Sequence, residues 1–76
     1  MTDLIAEVIE SRGLPRPNEA RRIREAAGVT QDRLAREVDV HRVTLARWEA
    51  GTRVPRGAER VRYARILAEL QRVIAA

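Results

Sequence analysis

Residues 44–55, TLARWEAGTRVP, contain the only tryptophan of the chain and predict a helix that ends in a basic loop. Successive helix residues are about 100° apart, so Leu45 and Trp48 share one side. Gly51 can end the helix, because glycine readily adopts the left-handed conformation found at helix C-termini. Pro55 then lies in a loop, since proline is disfavoured inside helices. The stretch predicts a helix from about residue 41 or 42 to about 50, anchored in a small core by Leu45 and Trp48.

The opposite side of this helix is basic and carries no acid. Its residues combine two long cations with small or apolar side chains: Arg42, Val43, Ala46, Arg47 and Ala50. A helix entering the major groove of DNA needs little bulk, and arginine reaches the O6 and N7 atoms of guanine while valine can contact a thymine methyl group. This side therefore favours DNA contact. The alternatives are solvated arginines and an ordinary exposed valine.

The composition indicates a single helical domain with a basic C-terminal part. The 76 residues include no cysteine and no phenylalanine, so a mainly aliphatic core must form without disulfides. All fifteen basic residues are arginine, which reflects either codon usage in a GC-rich genome or the fit of arginine to phosphates and guanine edges, and the two can coexist. Residues 1–20 carry a net charge of −2 and residues 21–76 one of +6. A polyanion such as DNA is the expected partner.

Five helices are predicted, and no alternation of period two suggests a strand. Apolar residues at helical spacing predict a first helix over residues 3–12, and the two prolines of LPRPN then break the chain. Asn18 is expected to cap a second helix that ends at Gly28, and Thr30 to cap a third that ends at Asp39. The longest helix is predicted from about Ala58 to Ile74.

The third and fourth helices, joined by a turn of about three residues, form a helix-turn-helix arrangement. Ala35 is small where the two helices must cross closely. Between the helices lies an apolar wedge made of Val38, Val40, Leu45 and Trp48.

Residues 21–55, RRIREAAGVTQDRLAREVDVHRVTLARWEAGTRVP, closely resemble the Cro/C1-type helix-turn-helix family of phage repressors and xenobiotic-response-element domains. The parts of this stretch that are most specific to the family are GVTQDRLA, the apolar Val40 after the turn, and WEAGTRVP. The resemblance implies an all-α, five-helix fold like that of lambda repressor. Its helix-turn-helix core spans residues 18–55, preceded by an additional helix and linker over 1–17 and followed by the C-terminal helix over 56–76.

The resemblance also implies roles for individual residues. Base-reading positions of the family correspond to His41, Arg42, Val43 and Arg47. Gln31, at the start of the third helix, is expected to hydrogen-bond a phosphate. Thr52 and Arg53 are expected to contact the DNA backbone. Some members pair an arginine with the glutamate after the aromatic position, which implies a bridge between Arg24 and Glu49.

Two positions depart from the family pattern. Asp39 stands where the tight turn usually has glycine, although aspartate tolerates left-handed geometry better than most residues. Ala50 stands where many members have a polar residue, so we expect one phosphate contact to be missing. Outside the family pattern, Arg56 flanks the loop and either contacts phosphate or only aids solubility. Arg60, Arg62 and Arg65 are either solvated or functional.

Other classes of function are disfavoured. The chain has one serine, one histidine, no lysine and no glycine-rich phosphate loop, so we expect neither an enzyme nor a cofactor. His41 cannot build a zinc site with other histidines or cysteines, and packing or a phosphate bond suits it better. No signal peptide, membrane span or room for a ligand-sensing domain is apparent, which predicts a cytoplasmic protein without a small-molecule ligand. Glu59 and Glu69 argue against a membrane-surface role for the last helix.

The expected function is that of a small repressor of phage or mobile-element type, acting on an inverted-repeat operator in double-stranded DNA. One short helix makes few base contacts, so a homodimer is expected. The apolar residues near both termini then form its interface, or instead pack on the core. Alternatives are an antitoxin that represses its own operon, a recombination directionality factor, and a protein-interaction module that does not bind DNA.

Overall fold

The computed structural model describes residues 4–5 and 13–76, and the latter contain four helices and no strand. We number these helices α1 (Pro17–Ala26), α2 (Gln31–Val38), α3 (Arg42–Ala50) and α4 (Gly57–Ala75). Leu4 and Ile5 are helical, but the rest of the helix predicted over residues 3–12 lies outside the described residues. An all-α fold is therefore confirmed.

The start of α1 differs from the prediction. Arg16 is the N-terminal flanking residue, no side chain caps the helix, and Asn18 lies within the first turn. Pro17 explains the shift, because its fixed φ angle suits the first helical position and its missing N–H is not needed there. The expectation that Asn18 caps this helix was wrong. At the other end Gly28 has a φ of 72°, which confirms its left-handed conformation.

The ends of α2 and α3 agree with the sequence-based prediction. Thr30 Oγ1 accepts a hydrogen bond of 3.1 Å from the backbone N–H of Arg33, which caps α2. Asp39 has a φ of 63° and is the one left-handed residue other than glycine in the described part of the chain. Gly51, with a φ of 77°, ends α3. The turn between the two helices is therefore short, and it fixes the direction in which α3 leaves α2.

A single apolar core joins all four helices. Its fully packed members are Ala20, Ile23, Leu34, Ala35, Val38, Leu45, Trp48, Tyr63 and Leu67. The rings of Trp48 and Tyr63 are 4.8 Å apart between centroids and tilted by 38°. Tyr63 was not expected in the core. This ring contact attaches α3 to α4.

The apolar residues near the termini divide into two groups. Leu67 is fully buried and Leu70 packs against the core, whereas 58% of Leu4 and 70% of Val73 are exposed. Ile5 and Ile74 are exposed as well. Packing on the core therefore explains the apolar residues in the middle of α4. It does not explain Leu4 and Ile5, which are exposed. None of the helices described is long and apolar enough to cross a membrane.

Candidate nucleic-acid interface

The outward face of α3 carries the predicted base-reading side chains. Arg42, Val43 and Arg47 are exposed, while Leu45 and Trp48 on the opposite side are fully buried. Ala35 is also buried, and Val40 packs against the core from the turn. The one acid of α3, Glu49, is only 8% exposed. The solvent-exposed face of α3 is therefore basic and apolar.

Glu49 is held inside the protein by a network of hydrogen bonds. Its Oε2 accepts from Arg24 Nε at 2.7 Å, and its Oε1 accepts from Arg24 Nη2 at 3.0 Å and from Gln31 Nε2 at 3.0 Å. Arg24 Nη1 also donates to the carbonyl of Val29 at 2.8 Å. The hydrogen bond to Glu49 raises the pKa of Arg24 above its ordinary value. The network joins α1, the start of α2, and α3, and it neutralises the carboxylate that would otherwise repel DNA.

A basic groove runs past the N-terminus of α2. Arg21, Thr30, Gln31 and Arg42 line it, together with Arg24 and Asp32. Helix N-termini attract anions because their first N–H groups are unpaired and carry partial positive charge. Asp32 opposes this charge, but it lies 3.3 Å from Arg36, with which it pairs. The groove therefore combines arginine side chains with the partial positive charge of a helix N-terminus.

Gln31 and Arg21 would be the phosphate ligands of this groove. Gln31 donates one hydrogen of its side-chain amide to Glu49. A glutamine amide has a second hydrogen, which is the one that would donate to a phosphate. Arg21 was not among the predicted site residues, although it opens the stretch that carries the family resemblance. Its ion pair with Glu25 is 3.4 Å long and exposed, so it can be exchanged for a phosphate at little cost.

His41 caps α3 through its ring. Nδ1 accepts a hydrogen bond of 3.1 Å from the backbone N–H of Val43. A neutral histidine that accepts at Nδ1 carries its proton on Nε2. The ring is exposed, so this Nε2–H is the atom with which His41 would contact a base or a phosphate.

The loop after α3 is tied to the end of that helix. The carbonyl of Arg47 accepts from the backbone N–H of Thr52 at 3.0 Å, from its Oγ1 at 3.3 Å, and from the N–H of Arg53 at 3.3 Å. The hydroxyl of Thr52 thus already donates its hydrogen to the Arg47 carbonyl. The predicted contact between Thr52 and the DNA backbone would require this hydrogen bond to break. Arg53 and Arg56 are exposed in this loop.

A family model described as helix-turn-helix matches residues 21–70, from α1 into the last helix. The chain belongs to the Cro/C1-type helix-turn-helix family. No curated protein and no solved structure matches it. The family is one of DNA-binding regulators, and this chain is therefore a DNA-binding helix-turn-helix regulator. Within the motif, α2 is the first helix and α3 is the recognition helix.

Arg62 supports the helix-turn-helix motif in a way that the sequence did not suggest. Its Nε donates to the carbonyl of Val38 at 2.8 Å, across 24 residues. Val38 is the last residue of α2, so the guanidinium compensates the partial negative charge at that helix end. The bond also fixes the position from which the turn through Asp39 begins. The sequence left Arg62 as either a solvated or a functional residue and did not indicate this contact.

No group of three or more potential metal ligands occurs among the described residues.

Proposed function

We propose that this protein is a sequence-specific repressor of Cro-like type, encoded by a phage or mobile element, that reads the major groove with α3. The observation that carries the proposal is the outward face of α3, where Arg42, Val43 and Arg47 are exposed and the one acid of the helix is buried. This combination suits a helix that enters the major groove.

Phosphate contacts would supply most of the affinity. The groove at the start of α2 offers Gln31 and Arg21, and the loop after α3 offers Arg53 and Arg56. Each phosphate that these groups neutralise releases counterions, so binding weakens steeply as salt rises. These contacts set the register of α3 in the groove and carry no sequence information of their own.

Base contacts would supply the specificity. Arg42 and Arg47 can each pair bidentately with a guanine, and such a pair discriminates by about 1–3 kcal/mol. Val43 contacts a thymine methyl group, and His41 donates from Nε2 near the entry of the helix. Two guanines per half-site are therefore expected.

A homodimer on an inverted repeat fits the small size of one recognition helix. A helix of nine residues reaches only a few base pairs, and two copies related by a two-fold axis double the site. The exposed Val73 and Ile74 at the end of α4 provide apolar surface for such an interface. Occupation of the operator by the dimer in the cytoplasm would itself block transcription.

An antitoxin that represses its own operon is the second candidate. It would use the same recognition helix, and the exposed Leu4 and Ile5 offer an apolar contact to a toxin.

Fluorescence anisotropy on DNA selected from a random duplex pool tests the proposal. We expect Arg42→Ala combined with Arg47→Ala to weaken binding to the selected site by about 30-fold or more, because at least about 2 kcal/mol of base contact is lost. Arg65→Ala combined with Arg72→Ala removes the same charge from exposed positions of α4 and is the matched control. Equal losses in both double variants, or a pool without an enriched site, would refute sequence reading by α3.

A further inference from the structure

A small apolar cavity lies under the C-terminal end of the recognition helix. Its volume is about 150 Å³. Its walls come from the start of α1, the end of α3, the following loop, and α4, and include Pro17, Ala20, Trp48, Val54, Pro55 and Tyr63. Among the described residues that line it, none is a carboxylate and Arg53 is the only charged one. The cavity is thus suited to an uncharged, largely apolar guest.

Two of the lining side chains have buried polar groups that nothing satisfies. Trp48 Nε1 and the Tyr63 hydroxyl each expose less than 1 Å² and have no hydrogen-bond partner among the described residues. Nearly all buried polar groups in native proteins are hydrogen-bonded, because an unpaired one keeps its full desolvation penalty. Burial raises the pKa of Tyr63 far above its ordinary value, so the hydroxyl keeps its proton. Both groups are therefore donors that need an acceptor.

We propose that this cavity binds a neutral, single-ring molecule whose oxygen accepts hydrogen bonds from Trp48 Nε1–H and the Tyr63 hydroxyl. The size agrees, since an apolar protein cavity of about 150 Å³ accommodates benzene. Neutrality follows because an apolar site disfavours an ion without a buried counter-charge. Aryl ketones and related oxygen-bearing rings are the class that fits. The proposal departs from the sequence-based expectation that the protein has no small-molecule ligand.

The cavity is partly open to solvent, and the loop after α3 forms part of its wall. Val54 belongs to this loop and is 58% exposed, so few contacts oppose its displacement. The two donor atoms themselves expose less than 1 Å², so the proposal includes a small displacement of this wall that lets the acceptor oxygen reach them. The site shares Arg53 and its loop with the proposed phosphate contacts but includes none of the proposed base-reading residues, and the proposal does not depend on DNA binding.

Trp48 provides the assay, because it is the only tryptophan and gives a single indole N–H resonance. Acetophenone is titrated into the full chain without DNA, and α-methylstyrene, which has a methylene group in place of the carbonyl oxygen, is the matched control. We expect a saturable downfield shift with acetophenone and about tenfold weaker binding of α-methylstyrene, the effect of a net hydrogen-bond contribution. Tyr63→Phe removes one donor and should reduce the preference to about threefold.

Three results would overturn the proposal. Acetophenone could produce no saturable shift up to its solubility limit, which would leave water as the acceptor of the two groups. The two compounds could bind equally well, which would make the cavity indifferent to oxygen. In a folded Tyr63→Phe variant, an unchanged preference would exclude the hydroxyl as a donor. The comparison of the two compounds on the wild-type protein decides the question even if that variant fails to fold.

Discussion

Replacing Glu49 with alanine should lower the free energy of unfolding by about 3–5 kcal/mol, the cost of leaving a buried partner charge uncompensated. The carboxylate accepts three hydrogen bonds, two from Arg24 and one from Gln31. The Arg24 and Glu49 side chains are only 10% and 3% exposed. Without the carboxylate, the guanidinium keeps the Val29 carbonyl as its one acceptor in the described structure.

This loss is large for so small a protein. A chain of 76 residues is stabilised by roughly 4–11 kcal/mol in total. The same reasoning predicts that Arg24→Met combined with Glu49→Leu is far less damaging than either change alone, because no unpaired charge remains and apolar side chains fill the space. We expect the double variant to lie within about 2 kcal/mol of the wild type, so the two changes should be strongly non-additive.

Urea unfolding followed by far-ultraviolet circular dichroism measures these differences. The control is Arg21→Ala combined with Glu25→Ala, which removes an ion pair whose side chains are 62% and 55% exposed. That pair should contribute less than about 1 kcal/mol. A loss below about 1 kcal/mol for Glu49→Ala, or additive losses in the buried pair, would refute the argument that burial makes this network strong.

Three further outcomes are expected. Because burial raises the pKa of Tyr63 above its unfolded value of about 10, the contribution of Tyr63 to the free energy of unfolding should be constant below pH 10 and fall by about 1.4 kcal/mol per pH unit above it. Tyr63→Phe should abolish that fall in urea titrations at increasing pH. Arg62→Ala should cost about 1–3 kcal/mol and weaken DNA binding, whereas Arg65→Ala should change neither thermal unfolding nor anisotropy. Asp39→Gly should raise stability by about 1 kcal/mol, since glycine adopts the left-handed conformation without strain, and a lower melting temperature would contradict this.

The helix ends could be predicted where one residue type decides the local geometry. Thr30 accepts from the N–H three residues on, and Gly51 adopts a positive φ, so each marks its boundary without help from the rest of the fold. Asn18 misled the prediction because two neighbouring signals competed. Proline can occupy the first position of a helix, and α1 begins at Pro17, one residue before Asn18.

The exposed face of the recognition helix could also be predicted, because it depends only on helical periodicity and on which side is apolar. Contacts between distant segments could not be predicted from local patterns, and the pairing of Arg24 with Glu49 was expected only from the family resemblance. The bond from Arg62 to Val38 depends on where α4 crosses α2, and neither residue carries a sign of it in the sequence. The same holds for Tyr63, whose place in the core requires the ring of Trp48 beside it.

The proximity of those two rings gives the protein its own optical reporter. Tyr63 and Trp48 are the only tyrosine and tryptophan, and their centroids are 4.8 Å apart. At this separation, light energy absorbed by Tyr63 passes to Trp48, and emission from the tyrosine is suppressed. Because one ring belongs to the recognition helix and the other to α4, tyrosine emission should appear only when the two helices separate. Unlabelled protein can thus show whether the DNA-reading helix is in place.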